Sequence, residues 1–322
     1  MILVCFLYML FASTFIFGKL ALSYCDPLFF IGVRMIIGGS LLLGYQYFFN
    51  RKQWKFSLRN SGLYSQIILF HIFCAFVLEF WALKYVAASK ACLIYNLSPF
   101  LTALYAYLFF SERLNTKKWL GLAVGFGGLL PVLLAPSLIE DQVGGVFNLS
   151  WPEMALLGAV ASSAYGWIVM KKLLHKQYSF IMVNGIGMFG GGILAFISSL
   201  LIEGTPTLKM PAVKNFLDIA MQNIFSDYAP VALLMIYMAI LIVIANIICY
   251  NIYGYLLSRY SPTFLSFAGF TTPLFAALFD WVFMGEMISW PFLISVMLTF
   301  WGLYIFYLQE IKPEDNNLIN TL

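Results

Sequence analysis

Ten stretches of this sequence each run for about twenty residues with hardly a charged side chain, a length that fits the roughly 30 Å hydrocarbon core of a bilayer when coiled as helix. They cover residues 2–22, 27–49, 61–83, 88–110, 116–136, 151–170, 179–202, 229–256, 261–284 and 289–309. Charged residues make up only 10% of the chain and hydrophobic ones 62%. A soluble domain carries about a quarter charged residues, and no globular interior of this size accommodates so much apolar side chain. The runs are continuous rather than alternating, which predicts helices and not a β-barrel, because backbone polar groups in lipid must be satisfied within the segment. The expected fold is an all-α integral membrane protein of ten transmembrane helices. The N-terminus lacks a basic leader ahead of its apolar run, so no cleaved signal peptide is expected. Five cysteines, an odd number without a CxxC pair, suggest neither a disulfide framework nor a zinc site. No metal or other cofactor is predicted.

Lysine and arginine set the expected orientation. With both termini cytoplasmic, the inward segments hold Arg51, Lys52, Lys55, Arg59, Arg113, Lys117, Lys118, Lys171, Lys172, Lys176, Arg259 and Lys312, against Lys84, Lys90, Lys209 and Lys214 outside. That asymmetry predicts both ends inside, and the expected location is the cytoplasmic membrane of a bacterium. Residues 137–150 read as an extracytoplasmic linker between residues 1–136 and 151–309, and residues 310–322 as a cytoplasmic tail. Within 203–228, Val213, Phe216, Leu217, Ala220, Met221, Ile224 and Phe225 recur at helical spacing opposite Lys214, Asp218 and Gln222. This predicts an amphipathic helix on the outer face, either a connector or a lid.

The two parts repeat each other. A shift of 174, which carries Glu112 onto Glu286, also carries Pro99 onto Pro273, Ala103 onto Ala277, Phe109 onto Phe283 and Gly128 onto Gly302. Asn115 falls on Ser289, both suitable helix N-caps. Five spans per part is an odd number, so the second part enters the membrane from the opposite side. The expectation is two inverted five-helix repeats, a plan of secondary transporters. Pro99 and Pro273 should each break a helix near the midplane by disturbing the carbonyl four residues earlier, at Tyr95 and Gly269. Such matched breaks mark hinges or a binding site. Glu112 and Glu286 fall in short turns beside helix N-termini and read as caps or gate latches.

The order Pro-x12-Glu, polar turn and Gly-bearing helix, given twice, resembles the EamA branch of the drug/metabolite transporter superfamily. "FASTFIFGKLAL" at 11–22 is similar to that family's opening helix, "DPLFFIGVRMIIGG" at 26–39 to its arginine-bearing second helix, and "LLGAVASSAYGWIVMKKL" at 156–173 to the opening of its second half. The resemblance implies alternating access around a central chamber formed by spans 1, 3, 4, 6, 8 and 9. It departs in three places: the 203–228 connection is long, span 7 has no counterpart of Arg34, and span 1 has no acid for proton coupling.

An ionised group at the centre of a membrane helix costs about 2.5–3.5 kcal/mol on insertion scales, so each one needs a reason. Lys19, Arg34, Glu79 and Asp280 all fall in the outer third of their spans. They form either internal ion pairs, such as Arg34 with Glu79, or a chamber in which Glu79 holds a cationic group and Arg34 or Lys19 a carboxylate or phosphate. His71 reads as a packing residue or a proton switch. Asn96 and Asn246 join helices or meet ligand; Asn246, Tyr250 and Tyr253 share one helix face, and Tyr95, Trp167 and Phe270 add rings near the midplane. Acid, base and aromatics together favour a small amphipathic metabolite. The branch of the family that fits best carries S-adenosylmethionine, in exchange for S-adenosylhomocysteine. Amino-acid or drug export and nucleotide-sugar-type exchange stay open. No HExxH, GxGD, CxxC or P-loop motif is present, which argues against an intramembrane enzyme and direct use of ATP. The expected partners are the substrate and the lipid bilayer, without nucleic acid, in a monomer or homodimer.

Overall fold

The computed structural model describes residues 2–54, 57–85, 91, 94–112, 114–133, 151–204, 229–272, 274–275, 278 and 290–311. The linker at 137–150, the amphipathic segment from 205 to 228, the end of the tail and Pro273, Asp280 and Glu286 lie outside the described residues. Among those described, every regular element is helical. The main helices are α1 (Ile2–Leu22), α2 (Pro27–Phe49), α3 (Ser61–Leu83), α4 (Ser98–Phe110), α5 (Thr116–Leu133), α6 (Trp151–His175), α7 (Phe180–Ile202), α8 (Pro230–Leu257), α9 (Pro262–Ala268) and α10 (Trp290–Ile311). Five of them, α2, α3, α6, α7 and α8, are long and apolar enough to cross a membrane.

Two helix pairs form the flanks. α2 runs along α7, and α5 along α10. Glycine permits both contacts: a Cβ on Gly39 would stand 2.5 Å from the Phe189 nitrogen, and one on Gly302 2.5 Å from the Gly125 nitrogen. Small residues bring membrane helices into this backbone-to-backbone contact, where dispersion and not hydrophobicity drives association. The α2–α7 pair is also tied at both ends. The Glu203 carboxylate accepts the free N–H groups of Leu28 and Phe29, each at 3.0 Å, at the positive end of α2. At the other end Ser179 Oγ donates to Gln46 Oε1 at 3.0 Å.

Between the flanks, the central helices depart from regular α-geometry. The span expected as one helix over 88–110 is divided: residues 96–97 form a turn, and α4 restarts at Ser98 with Pro99 in its first turn, where a missing N–H does no harm. α9 likewise gives way to a tight 3₁₀ turn at Gly269–Thr271, immediately before position 273. Both breaks fall within three residues of the carbonyls named from the sequence. α3 and α8 each widen into a π-helical stretch, Ile67–Cys74 and Ile242–Cys249. These begin 175 residues apart, next to the repeat shift, and hold His71 and Asn246 at matching places. Asn115 does cap α5, accepting the Lys118 N–H at 2.8 Å. A hydroxyl pair, Thr102 with Ser266 at 2.8 Å, joins α4 to α9 across the buried interior.

Candidate functional site

The helix breaks open onto a cavity between the two halves of the chain. Its space for water centres is about 170 Å³, against the roughly 10–15 Å³ that a single buried water requires on such a measure. It is therefore ligand-sized. Its walls come from α1, α3, α6, α8, α9 and the turns before α4 and after α9, with α2 contributing Arg34.

The charged groups come from the first half. Glu79 lies on α3 just past the π-helical stretch, and its Oε2 accepts the Tyr95 hydroxyl at 2.7 Å. Tyr95 belongs to the short helical piece before the break, so the break is what presents its ring to Glu79. Arg34, 2% exposed, lies with its guanidinium carbon 5.0–5.4 Å from the ring centres of Phe30, Phe76 and Phe80. The Arg34–Glu79 ion pair, one of the two sequence readings, does not form: Glu79 turns to Tyr95 and Arg34 to the rings. The ring quadrupoles attract the guanidinium charge, which replaces part of its lost hydration.

The second half supplies rings. Trp167 of α6 stacks on Tyr253 of α8, with centroids 3.7 Å apart and planes at 20°. Tyr250 leans on Trp167 at 5.3 Å and reaches across to Phe76 at 6.1 Å. The Tyr8 hydroxyl donates to the Leu265 carbonyl and fixes α1 against α9.

Arg34, Glu79, Tyr95, Asn96, Trp167 and Tyr250 thus meet at one space. Asn96 is buried and its Nδ2 has no hydrogen-bond partner. The remaining site candidates lie elsewhere. Asn246 packs beside the cavity with its Nδ2 against the sulfurs of Met35 at 3.1 Å and Met188 at 3.7 Å. Phe270 is buried between Phe126 and Phe267. His71 sits edge-on to Trp167 at 4.3 Å, behind the wall and against Gly166. Glu112 follows Ser111, whose left-handed φ of 55° ends α4, and donates its own N–H to the Ala106 carbonyl at 3.3 Å. Pro99 is buried at the start of α4. The Lys19 side chain lies outside the described residues.

Sequence reasoning missed the hydroxyls. Ser98 and Thr272 both line the cavity, and each immediately precedes one of the matched prolines. Thr14 and Ser163 line it too, at corresponding places in "ASTF" and "ASSA" near the start of each half. The shift of 174 that located the prolines also carries Ser98 onto Thr272, whereas Thr14 and Ser163 do not fall on one another in it.

A helical bundle with a polar chamber between two similar halves defines a class, membrane carriers of small solutes, and comparison with known proteins places the chain within it. The sequence profile of the EamA-like transporter family matches residues 1–134 and 150–308. The chain belongs to the EamA-like transporter family, a family of multi-pass membrane proteins. Among its relatives, an "S-adenosylmethionine/S-adenosylhomocysteine transporter" of Chlamydia muridarum (strain MoPn / Nigg) is 32% identical over 94% of this chain and 89% of its own. The protein of the same name in Chlamydia trachomatis serovar L2 is 31% identical over 94% and 86%. A "Probable amino-acid metabolite efflux pump" of Salmonella typhimurium is 29% identical over 90% and 89%. A solved crystal structure shares the fold, with a TM-score of 0.71 at 16% identity over 97% of this chain and 98% of its own. These relatives are named as transporters and not as enzymes.

Proposed function

We propose that this protein is a secondary carrier of S-adenosylmethionine that exchanges it for S-adenosylhomocysteine. The observation that supports this most is the lining of one cavity, where charged groups from the first half meet aromatic rings from both halves. Arg34 and Glu79 stand on first-half helices, and Trp167, Tyr250 and Tyr253 on second-half helices. S-adenosylmethionine has the same two ends, an amino-acid group with a sulfonium and a purine ring. In this reading the rings take the purine by stacking, Glu79 holds a cationic group, and Arg34 the anionic one. The names of the two chlamydial relatives agree with it. The ten spans form two inverted repeats with both termini cytoplasmic. The halves rock about the cavity, and the breaks at Pro99 and Pro273 let α4 and α9 bend. The ends of these helices near Glu112 and Glu286 serve as latches. Lys19 and Asp280 belong to the charged lining or its support.

Purified protein in liposomes tests the substrate directly. Labelled S-adenosylmethionine should enter saturably and be recovered chemically unchanged, and unlabelled S-adenosylhomocysteine should compete. Uptake no greater than in protein-free liposomes would remove this substrate.

A further inference from the structure

Arg34 lies among aromatic rings, and one edge of its head has no hydrogen-bond partner. The ring centres of Phe30, Phe76 and Phe80 lie 5.0–5.4 Å from the guanidinium carbon and meet its charge only in part. Nε and Nη2 have no hydrogen-bond partner although the residue is almost wholly buried. Among the described residues the head makes no ion pair, and Glu79 is engaged by Tyr95. In the planar guanidinium the N–H groups of Nε and Nη2 on that side point in parallel. They form the edge that receives a carboxylate through two hydrogen bonds. A buried charge left in this condition is strongly unfavourable unless a partner arrives, and Arg34 lines the cavity.

We propose that the Nε/Nη2 edge of Arg34 is the docking site for the substrate's α-carboxylate, and that it restricts the carrier to solutes bearing an amino-acid group. In this conformation neither nitrogen is reached by solvent, so a carboxylate gains the edge as the side chains around it part. Charge balance points to the same class. The described lining holds one cation, Arg34, and one carboxylate, Glu79. The zwitterion S-adenosylhomocysteine brings one charge of each sign and matches both, and the added sulfonium of S-adenosylmethionine is a cation that the surrounding rings attract. A phosphate or diphosphate brings two or more negative charges against a single guanidinium and faces repulsion from Glu79. The edge therefore favours amino-acid-bearing adducts over sugar nucleotides. This inference rests on the carrier reading and specifies the end of the substrate that the aromatic groups do not take.

The test compares ligands in pairs that differ only by the carboxyl group: S-adenosylmethionine with its decarboxylated form, and phenylalanine with phenethylamine. Binding to the purified full-length protein is read by calorimetry. Wild type should prefer the carboxylated member of a pair by at least about 10–100-fold, the range of a single net hydrogen bond to a charged group. R34Q should bring the ratio close to one, and R34K, which keeps the charge without the two-pronged edge, should recover only part of it. The wild-type ratio needs no variant, so poor folding of R34Q leaves the test intact. Equal binding within every pair, a preference that survives R34Q, or no binding of any carboxylated ligand overturns the proposal. The two readings fail differently. If only the phenylalanine pair binds and is discriminated, the edge stands and the adenosyl substrate falls. If both adenosyl ligands bind alike, the reverse holds.

Discussion

Glu79 and Arg34 could be read in the sequence because a charge inside an apolar run costs free energy and must be compensated. That reasoning stops short of the compensating partner. Asn246 found two methionine sulfurs and His71 found the edge of Trp167, and neither lines the cavity. A polar letter in a hydrophobic stretch shows that something is needed there, while protein and ligand can meet the need equally well. Small hydroxyls such as Ser98 and Thr272 escaped notice for the opposite reason: they are cheap to bury, so their presence demands no explanation. Glu79→Gln tests the residue proposed to carry charge selection. It keeps an acceptor for the Tyr95 hydroxyl but removes the negative charge. Affinity for cationic S-adenosylmethionine should fall by about tenfold or more, the scale of losing one short-range ionic partner, and affinity for uncharged ring compounds should barely change. Competition binding with both ligands reads the difference, and equal losses would take Glu79 out of the site.

Among the elements, the proline breaks were legible and the π-helical stretches were not. Proline removes a specific hydrogen bond, and its effect falls at a known offset, which is where α4 and α9 are interrupted. A π-helical stretch has no such residue to announce it. Ile67–Cys74 and Ile242–Cys249 are as apolar as the turns around them, and only their matched places in the two halves set them apart. Such stretches frequently accompany functional sites, and here they adjoin Glu79 on α3 and Tyr250 on α8. The flanking pairs allow a sharper test. Gly302 of α10 abuts backbone, with the Gly121 carbonyl oxygen 2.6 Å and the Gly125 nitrogen 2.5 Å from where a Cβ would stand. No rotamer change relieves that overlap. Gly302→Ala should separate α5 from α10 and destabilise the protein by about 1–3 kcal/mol, seen as a lower melting temperature in detergent. Gly127→Ala, which meets nothing within 4 Å, is the control and should leave the melting temperature unchanged.

At the scale of the whole molecule, the strongest physical statement is that its polarity is arranged across the halves. Backbone elements come in pairs: α2 lies on α7, α5 on α10, and breaks and π-helical stretches occur twice. The charges are not paired in this way, since both Arg34 and Glu79 in the cavity lining come from the first half, while aromatic rings come from both. A duplicated frame suits a machine that must be equally stable facing either side of a membrane. An unduplicated lining suits one that holds an asymmetric solute in a single orientation. The paired prolines were visible in the sequence as the 174-residue shift, but the charge asymmetry became meaningful only when folding brought Arg34, Glu79 and Trp167 to one space. In the proposed cycle the loaded carrier turns over faster than the empty one, because an occupant satisfies Arg34 while the halves rock. The direct measurement is exchange in proteoliposomes loaded with S-adenosylhomocysteine or with buffer, given labelled S-adenosylmethionine outside. The account predicts several-fold faster initial uptake into the loaded vesicles and release of one S-adenosylhomocysteine for each S-adenosylmethionine gained. Uptake that ignores the internal solute, or labelled product that has been chemically altered, would contradict it.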